Sequence, residues 1–415
     1  MARVLLLLPT TTYRTPDFLA AAAKLGVEVT VGSERPSTLE GLNPAGLITL
    51  PFRDRARCVE TAVEFARNYP LDAIVGVDEE TIVVASAISA ALGLPHNPVE
   101  TVAAARNKAR LRAALARAGV PSPRHWLFHR TDDPGSASRT VTYPCVLKPT
   151  ILSASRGVIR ADDAGELVRA WRRIEAILDA PDVREKADPG ASEILAEEFV
   201  PGDEVAVEGL LQEGALTVLA VFDKPDPLDG PYFEETIYVT PSRKPAELQR
   251  EIADVTAAAC RAIGLRDGPV HAELRCGPSG VVLIEIAARS IGGLCSRVLR
   301  FGTSMSLEEL ILRHALGHVP LEPQREGRAA GVMMIPIPGA GRLEEVGGLE
   351  EARRVPGIDE VTISAHRGQQ LVPLPEGSRY LGFIFSRAES PERAEEALRG
   401  AHRLLEFRVA YLAGE

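Results

Sequence analysis

Two glutamates on a single hairpin are the first candidates for chemistry. The run VHAELR–CGPSG–VVLIEIAAR sets Glu273 and Glu285 inside strands among apolar neighbours. A carboxylate there is costly unless paired or metal-bound. A three-residue GPS loop would pair Glu273 with Leu283 and put Glu285 on the diagonal. The two Cβ atoms would then lie ~7 Å apart, a spacing suited to one or two hard cations. Strand glutamates that face solvent produce the same pattern. Arg289 follows Glu285 by four residues and precedes SIGG, with Gly292 and Gly293. An arginine beside such carboxylates, where the chain loosens into glycines, suits a transferring phosphoryl group, and equally a plain Glu–Arg ion pair.

Lysine is scarce. Of 47 cationic residues only six are lysine, at 24, 108, 148, 186, 224 and 244. Lys and Arg are not equivalent at phosphate sites, so a lysine kept inside a strand or loop draws notice. Lys148 lies in the apolar strand TYPCVLKP, Lys108 on an Arg-rich helix, and Lys224 at the end of a strand in VFDKP. The polar loop ILSASRG follows Lys148 and offers Ser153, Ser155 and backbone N–H groups beside Gly157. Such a loop can fold over phosphates, although it is no Walker A; solvated surface lysines are the plainer reading of each position alone. The segment AEEFVPGDEV reads as strand, tight turn and strand, with acids at 197, 198, 203 and 204. It is suited to an adenine edge and a ribose diol, or to a polar hairpin rim. His314 and His318 have i,i+4 spacing without a third ligand, and His125 and His129 lie in an extended segment, so neither pair reads as zinc.

The elements that must hold these residues change character along the chain. The first ~100 residues alternate short apolar strands with helices, as a parallel doubly wound sheet does. RVLLLLP is the first strand, and no GxGxxG follows it. ETVAAARNKARLRAALARAG reads as one long helix closed by Gly119. A smaller unit follows, then from 194 an antiparallel pattern: EILAEEFV, turn PGD, EVAVEGLL, turn QEGA, LTVLAVFDK. The helix PAELQREIADVTAAACRAIG leads into the glutamate hairpin, and the last ~85 residues mix strands with a closing helix.

The chain has 415 residues, so two to three domains are expected. Its formal net charge of −10 argues against nucleic acid or an anionic membrane as partner. No apolar run approaches the ~18 residues of a spanning helix. The run Val4–Leu8 stops at Pro9 and reads as a strand rather than a signal peptide. Five scattered cysteines without CxxC suggest reduced thiols and a cytoplasmic protein.

Taken in order, NKARLRAALARAGVPSP, YPCVLKP, the small-residue loop, AEEFVPGDE, HAEL and IEIAARSIGG resemble the motifs of the ATP-grasp superfamily, over about residues 95 to 320. FEETIYVTPS after the VFDKP lysine, and SRYLGFIFSRAESPERAEEALRGAHRLLEF near the end, are similar to the L-amino-acid ligase branch. The resemblance implies an α/β chain, α+β in its ATP-binding part. A Rossmann-like N-terminal domain (1–95) would precede a linker helix and small lid subdomain (96–190), a large subdomain with the metal site (191–330) and a C-terminal mixed α+β subdomain (331–415).

The same resemblance implies roles. Lys108 and Lys148 contact nucleotide phosphates, and Ser153, Ser155 and Gly157 belong to the phosphate lid. Glu197 takes the adenine amino group, the backbone of Glu198, Phe199 and Val200 reads the ring edge, and Glu204 holds the ribose. Lys224 approaches the terminal phosphate. Glu273 and Glu285 bind Mg2+, with Mn2+ as an alternative, and Arg289 steadies the transferred phosphoryl group. Glu235 falls where the family holds its amino acid, with Tyr238 beside it. Two departures stand out: Ala287 replaces a customary Asn, leaving a metal position to water or substrate, and Tyr238 replaces a customary His. The implied reaction is ATP-dependent joining of a small-molecule carboxylate to an amine through an acyl phosphate, releasing ADP and phosphate. A ligase for a non-amino-acid carboxylate, or a nucleotide-binding regulator with a degenerate site, are the alternatives; assembly as a homodimer is left open.

Overall fold

The computed structural model describes residues 1–185, 188–302, 304–318 and 323–411, so Lys186 lies outside the described residues. Four parallel strands open the chain: β1 (Arg3–Leu7), β2 (Glu28–Ser33), β3 (Leu47–Thr49) and β4 (Ala73–Gly76), in spatial order β3-β2-β1-β4. After Arg3, β1 is apolar because both its faces are covered. Val4 and Leu6 pack with Phe18, Ala21 and Ala22 of α1 (Thr15–Leu25). Leu5 and Leu7 pack on the other side with Cys58 and Ala62 of α2 (Arg55–Asn68) and Ile88 of α3 (Ile82–Leu92). The loops at the C-terminal ends of β1 and β4 face a central cleft, the usual ligand side of such a sheet.

The expected long helix is two, α4 (Val99–Arg106) and α5 (Lys108–Ala118). Asn107 between them is extended, and its side chain caps α5 by accepting from the Arg110 N–H at 2.9 Å. The Lys108 N–H turns to the Thr150 carbonyl at 3.0 Å. Lys108 therefore stands at the start of a helix, its side chain reaching the Leu152 carbonyl, rather than in mid-helix.

A small antiparallel sheet follows, built from β5 (His125–His129), β6 (Cys145–Pro149), β7 (Ile159–Ala161) and β8 (Glu193–Glu198) in the order β5-β8-β6-β7. The helix Ala164–Leu178 covers it with Leu167, Ala170, Trp171, Ile174 and Ile177, one stripe at helical spacing. Asp163 caps that helix through the Glu166 N–H, and Glu166 accepts from the Asp162 N–H, both at 2.8 Å.

The large sheet has eight strands, all pairs antiparallel. β9 (Asp203–Gln212), β10 (Ala215–Asp223), β11 (Ile237–Thr240), β12 (Gly268–Gly277) and β13 (Gly280–Ala287) are ordered β13-β12-β9-β10-β11. Strands Ala329–Ile335, Gly382–Ala388 and Ile358–Ile363 continue beyond β11. β8 belongs to the small sheet and β9 to the large one, so AEEFVPGDEV is a crossing between sheets rather than a hairpin. The sheet also runs unbroken past 330/331. The five cysteines are unpaired. Among the described residues no helix is long and apolar enough to cross a membrane.

Candidate active site

The two sheets and the N-terminal domain enclose a cleft of about 380 Å3. Every expected site residue lines it except Lys224 and Gly157. Lys148 and Glu197 approach one another from paired strands β6 and β8. The Lys148 Nζ lies 2.6 Å from Glu197, and Arg112 of α5 grips the same carboxylate through Nε at 2.7 Å and Nη2 at 3.2 Å. Burial pushes the Glu197 carboxyl up, but Arg112 and Lys148 override it and hold the value at about 2. Burial lowers the Lys148 ammonium, with Glu197 opposing. Glu197 is thus the counter-ion that aims Lys148, with both oxygens already engaged by protein cations.

Residues 152–155 of the loop after β6 line the same cleft. Ala154 and Ser155 both adopt φ 55°, a left-handed conformation uncommon outside glycine and typical of functional turns. Lys108 reaches under the loop, donating to the Leu152 carbonyl at 2.7 Å, and lies 3.4 Å from Glu285. Gly157 is instead a packing position: a Cβ would fall 2.8 Å from Pro149, and its N–H donates to the Pro375 carbonyl at 2.9 Å.

At the sheet crossing, the Glu198 N–H is taken by the Arg124 carbonyl and that of Phe199 by the Pro144 carbonyl. Arg275 of β12 binds the Val200 carbonyl at 3.1 Å and Glu204 at 3.0 Å, and lies against the rings of Phe199 and Phe233. The second Glu204 oxygen is held by Lys224 at 2.7 Å. Lys224 sits beneath the cleft floor, bonded also to Glu235, 3.3 Å from Glu273, and over the Tyr238 ring at 5.0 Å. Its ammonium is held well above its usual value by these carboxylates despite burial. Burial and the neighbouring Glu273 raise Glu235 to about 7 against the pull of Lys224.

The glutamate hairpin differs in register from the expectation. Its turn has two residues, with Gly277 paired to Gly280, and a bulge at Ile284 brings Glu285 directly opposite Glu273. The freed Ile284 carbonyl accepts from Arg112. Oxygens of Glu204, Glu235 and Glu273 also converge within 4.8 Å, with Glu285 outside that group. Facing carboxylates on adjacent strands, each near a lysine, offer the hard oxygen donors that Mg2+ or Mn2+ takes. Beyond them Arg289 donates to Glu79 at 2.7 Å, a residue of the N-terminal domain. Gly292 is open, its hypothetical Cβ meeting only Arg289 at 3.9 Å. Gly293 is left-handed at φ 65°, backed by Phe383 at 3.2 Å.

Sequence patterns gave no warning of Glu79, Arg112, Arg275 or His271. Arg112 and Arg275 are hidden by the abundance of arginine, and Glu79 by its distance in the chain.

Three segments match described families: 19–96 the ATP-grasp N-terminal domain, 141–298 the ATP-grasp domain, and 333–410 the L-amino acid ligase C-terminal domain 2. The crystal structure of L-amino acid ligase from Bacillus licheniformis is similar over 99% of both chains, with a TM-score of 0.83 and 28% identity. The chain belongs to the ATP-grasp superfamily, in its L-amino acid ligase branch. Alanine–anticapsin ligase of Bacillus subtilis is 30% identical over 247 residues, 56% of this chain and 52% of that one. Carnosine synthase 1 of Gallus gallus is 30% identical over 286 residues, 65% of this chain and 30% of that one. The chain thus spans about half, or less, of these two relatives. Within this L-amino acid ligase branch chain, the domain named for the branch supplies Met334, Ser378 and Tyr380 to the cleft wall.

Proposed function

We propose that this chain is an ATP- and Mg2+-dependent ligase that activates the carboxylate of an L-amino acid as an acyl phosphate and joins it to an amine, releasing ADP and phosphate. The observation that carries the reading is the convergence of Lys108, Lys148, the facing Glu273 and Glu285, and Arg289 on one cleft. The lysines neutralise phosphate oxygens, and Lys148 is aimed by Glu197. A divalent ion held by Glu273 and Glu285, when bound, would draw negative charge from those oxygens. Arg289, steadied by Glu79, faces the space where carboxylate and γ-phosphate meet, and Gly292 leaves room for the acid's side chain. The lid excludes water from an intermediate that would otherwise hydrolyse. Positioning and charge neutralisation do most of the work, as in phosphoryl transfer generally. The unpaired thiols suit a cytoplasmic setting.

A phosphate-release screen over pairs of amino acids and other small carboxylates, with mass detection of product, tests the proposal. Phosphate release with an amide product from amino acids is expected. Stimulation only by a non-amino-acid carboxylate would overturn the substrate class, and nucleotide binding without stimulated turnover would overturn the enzymatic reading.

A further inference from the structure

Two buried ionisable groups beside the site have no part in the reaction above. Glu208 of β9 is 0% exposed, and His271 of β12 is its directly registered partner. On the other side of His271 the registered partner is Ala287 of β13. The next rung in the same three strands is Ala206, Glu273 and Glu285. Side chains two residues apart on a strand share a face, so His271 stands directly behind Glu273. Its Nδ1 lies 3.3 Å from Glu208 and its Nε2 lies 3.5 Å from Glu273. Glu208 has a second attachment, accepting the Ile291 N–H at 2.9 Å. Ile291 lies two residues after Arg289, in the turn that carries Gly292 and Gly293.

We infer that Glu208 and His271 are positioning residues: His271 fixes the rotamer of the metal-side carboxylate Glu273, and Glu208 ties that carboxylate to the Arg289–Gly293 turn. The inference rests on the proposed metal-nucleotide reading of the cleft. Three observations support it. Both contacts of this fully buried carboxylate, the His271 imidazole and the Ile291 N–H, fall on its Oε2, and both residues line the cleft. Ala287, registered opposite His271 on the hairpin, carries only a methyl group on that rung. The two attachments of Glu208 join β12 to the segment after β13, which backbone pairing alone does not join. A group that orients a metal ligand without touching the metal commonly changes metal affinity or activity about 10- to 100-fold when removed.

The test is calorimetric titration of adenylyl imidodiphosphate into the full chain at increasing Mg2+. The variants are His271→Gln and Glu208→Gln, and melting temperature is recorded without metal. The half-saturating Mg2+ should rise about tenfold or more in His271→Gln, and less in Glu208→Gln, which keeps an oxygen for the Ile291 N–H. Nucleotide binding measured without metal should be unchanged. A purely structural pair would lower the melting temperature and leave the Mg2+ midpoint where it was; that result in folded variants overturns the inference. Should His271→Gln fail to fold, Glu208→Gln decides by the same midpoint. Failure of the wild-type chain to show any Mg2+-dependent binding would overturn the metal-nucleotide reading, and this inference with it.

Discussion

Replacing Glu197 with Gln should cost the small subdomain most of its margin of stability. The carboxylate is fully buried and neutralises Arg112 and Lys148 together, both of them buried as well. Its folded value of about 2 lies below the ordinary 4.5. A depressed carboxylate contributes stability that is present above its unfolded value and lost as pH falls through its folded one. At about 1.36 kcal/mol per pH unit, the interval corresponds to roughly 3 kcal/mol at neutral pH. Breaking a buried ion pair by removing one partner costs about 3–5 kcal/mol, so the two routes agree. The only tryptophans are Trp126 and Trp171. Trp126 is the registered partner of Ala196, next to Glu197, and Trp171 packs on the same sheet. Tryptophan fluorescence therefore reports this subdomain separately from the rest of the chain. With a urea slope of about 1–3 kcal/mol per M for a unit of this size, Glu197→Gln should lower its midpoint by about 1–3 M at pH 7. The difference from wild type should shrink as pH falls from 4.5 toward 2. Glu198→Gln, half-exposed with only a 3.7 Å contact to Arg124, should stay within about 0.5 kcal/mol of wild type. A Glu197→Gln midpoint shift below about 0.3 M would refute the reasoning, because the two cations would then need no counter-ion.

Lys148→Ala should weaken ATP about 10- to 100-fold through loss of a charge-assisted hydrogen bond, whereas Lys24→Ala, remote on α1 beside Glu309, should leave it unchanged; isothermal titration of both compares them directly. Glu273→Gln and Glu285→Gln should each abolish turnover in a folded protein, and full recovery of Glu285→Gln at ordinary Mg2+ would count against the metal assignment. Gly292→Val should shift relative kcat/KM from large acids toward glycine or alanine, since it projects into open space beside Arg289. Gly293→Trp is the harsher change, strained by φ 65° and by Phe383, and equal loss of all substrates there would mark that glycine as structural.

Local chemistry made part of this molecule readable. The apolar run of β1 announced a strand covered on both faces, and the lysine in YPCVLKP stood out because lysine is rare here. What escaped depends on contacts between distant segments. ARNKARL is rich in helix formers apart from Asn107, and the chain breaks there because the Asn side chain caps α5 and the Thr150 carbonyl takes the Lys108 N–H. EEFVPGDEV carries the local pattern of a hairpin, but the partners of β8 are β5 and β6, which no nearby residue specifies. The bulge at Ile284 likewise needs the Arg112 side chain from α5. Glu79 reaches Arg289 from 210 positions away, beyond any pattern of spacing.

The continuous eight-stranded sheet bears on how this chain tolerates recombination. β11 meets β10 at a single registered pair, Asp223 with Val239, but meets Ala329–Ile335 at four. The heavier stitching thus lies on the C-terminal side of β11. In a chimera cut at residue 330, β11 would have to pair with a strand from the other parent, and a mismatch there would leave it an open edge. A cut placed between β10 and β11 would carry β11 away with the strands it is stitched to. It would still have to preserve the Asp223 carboxylate, which accepts from Ser242 and Arg243 across the seam. A cut near residue 224 also parts β12 from β9 at nine registered pairs and Lys224 from Glu204, so β9 and β10 have to be exchanged together with the strands that follow.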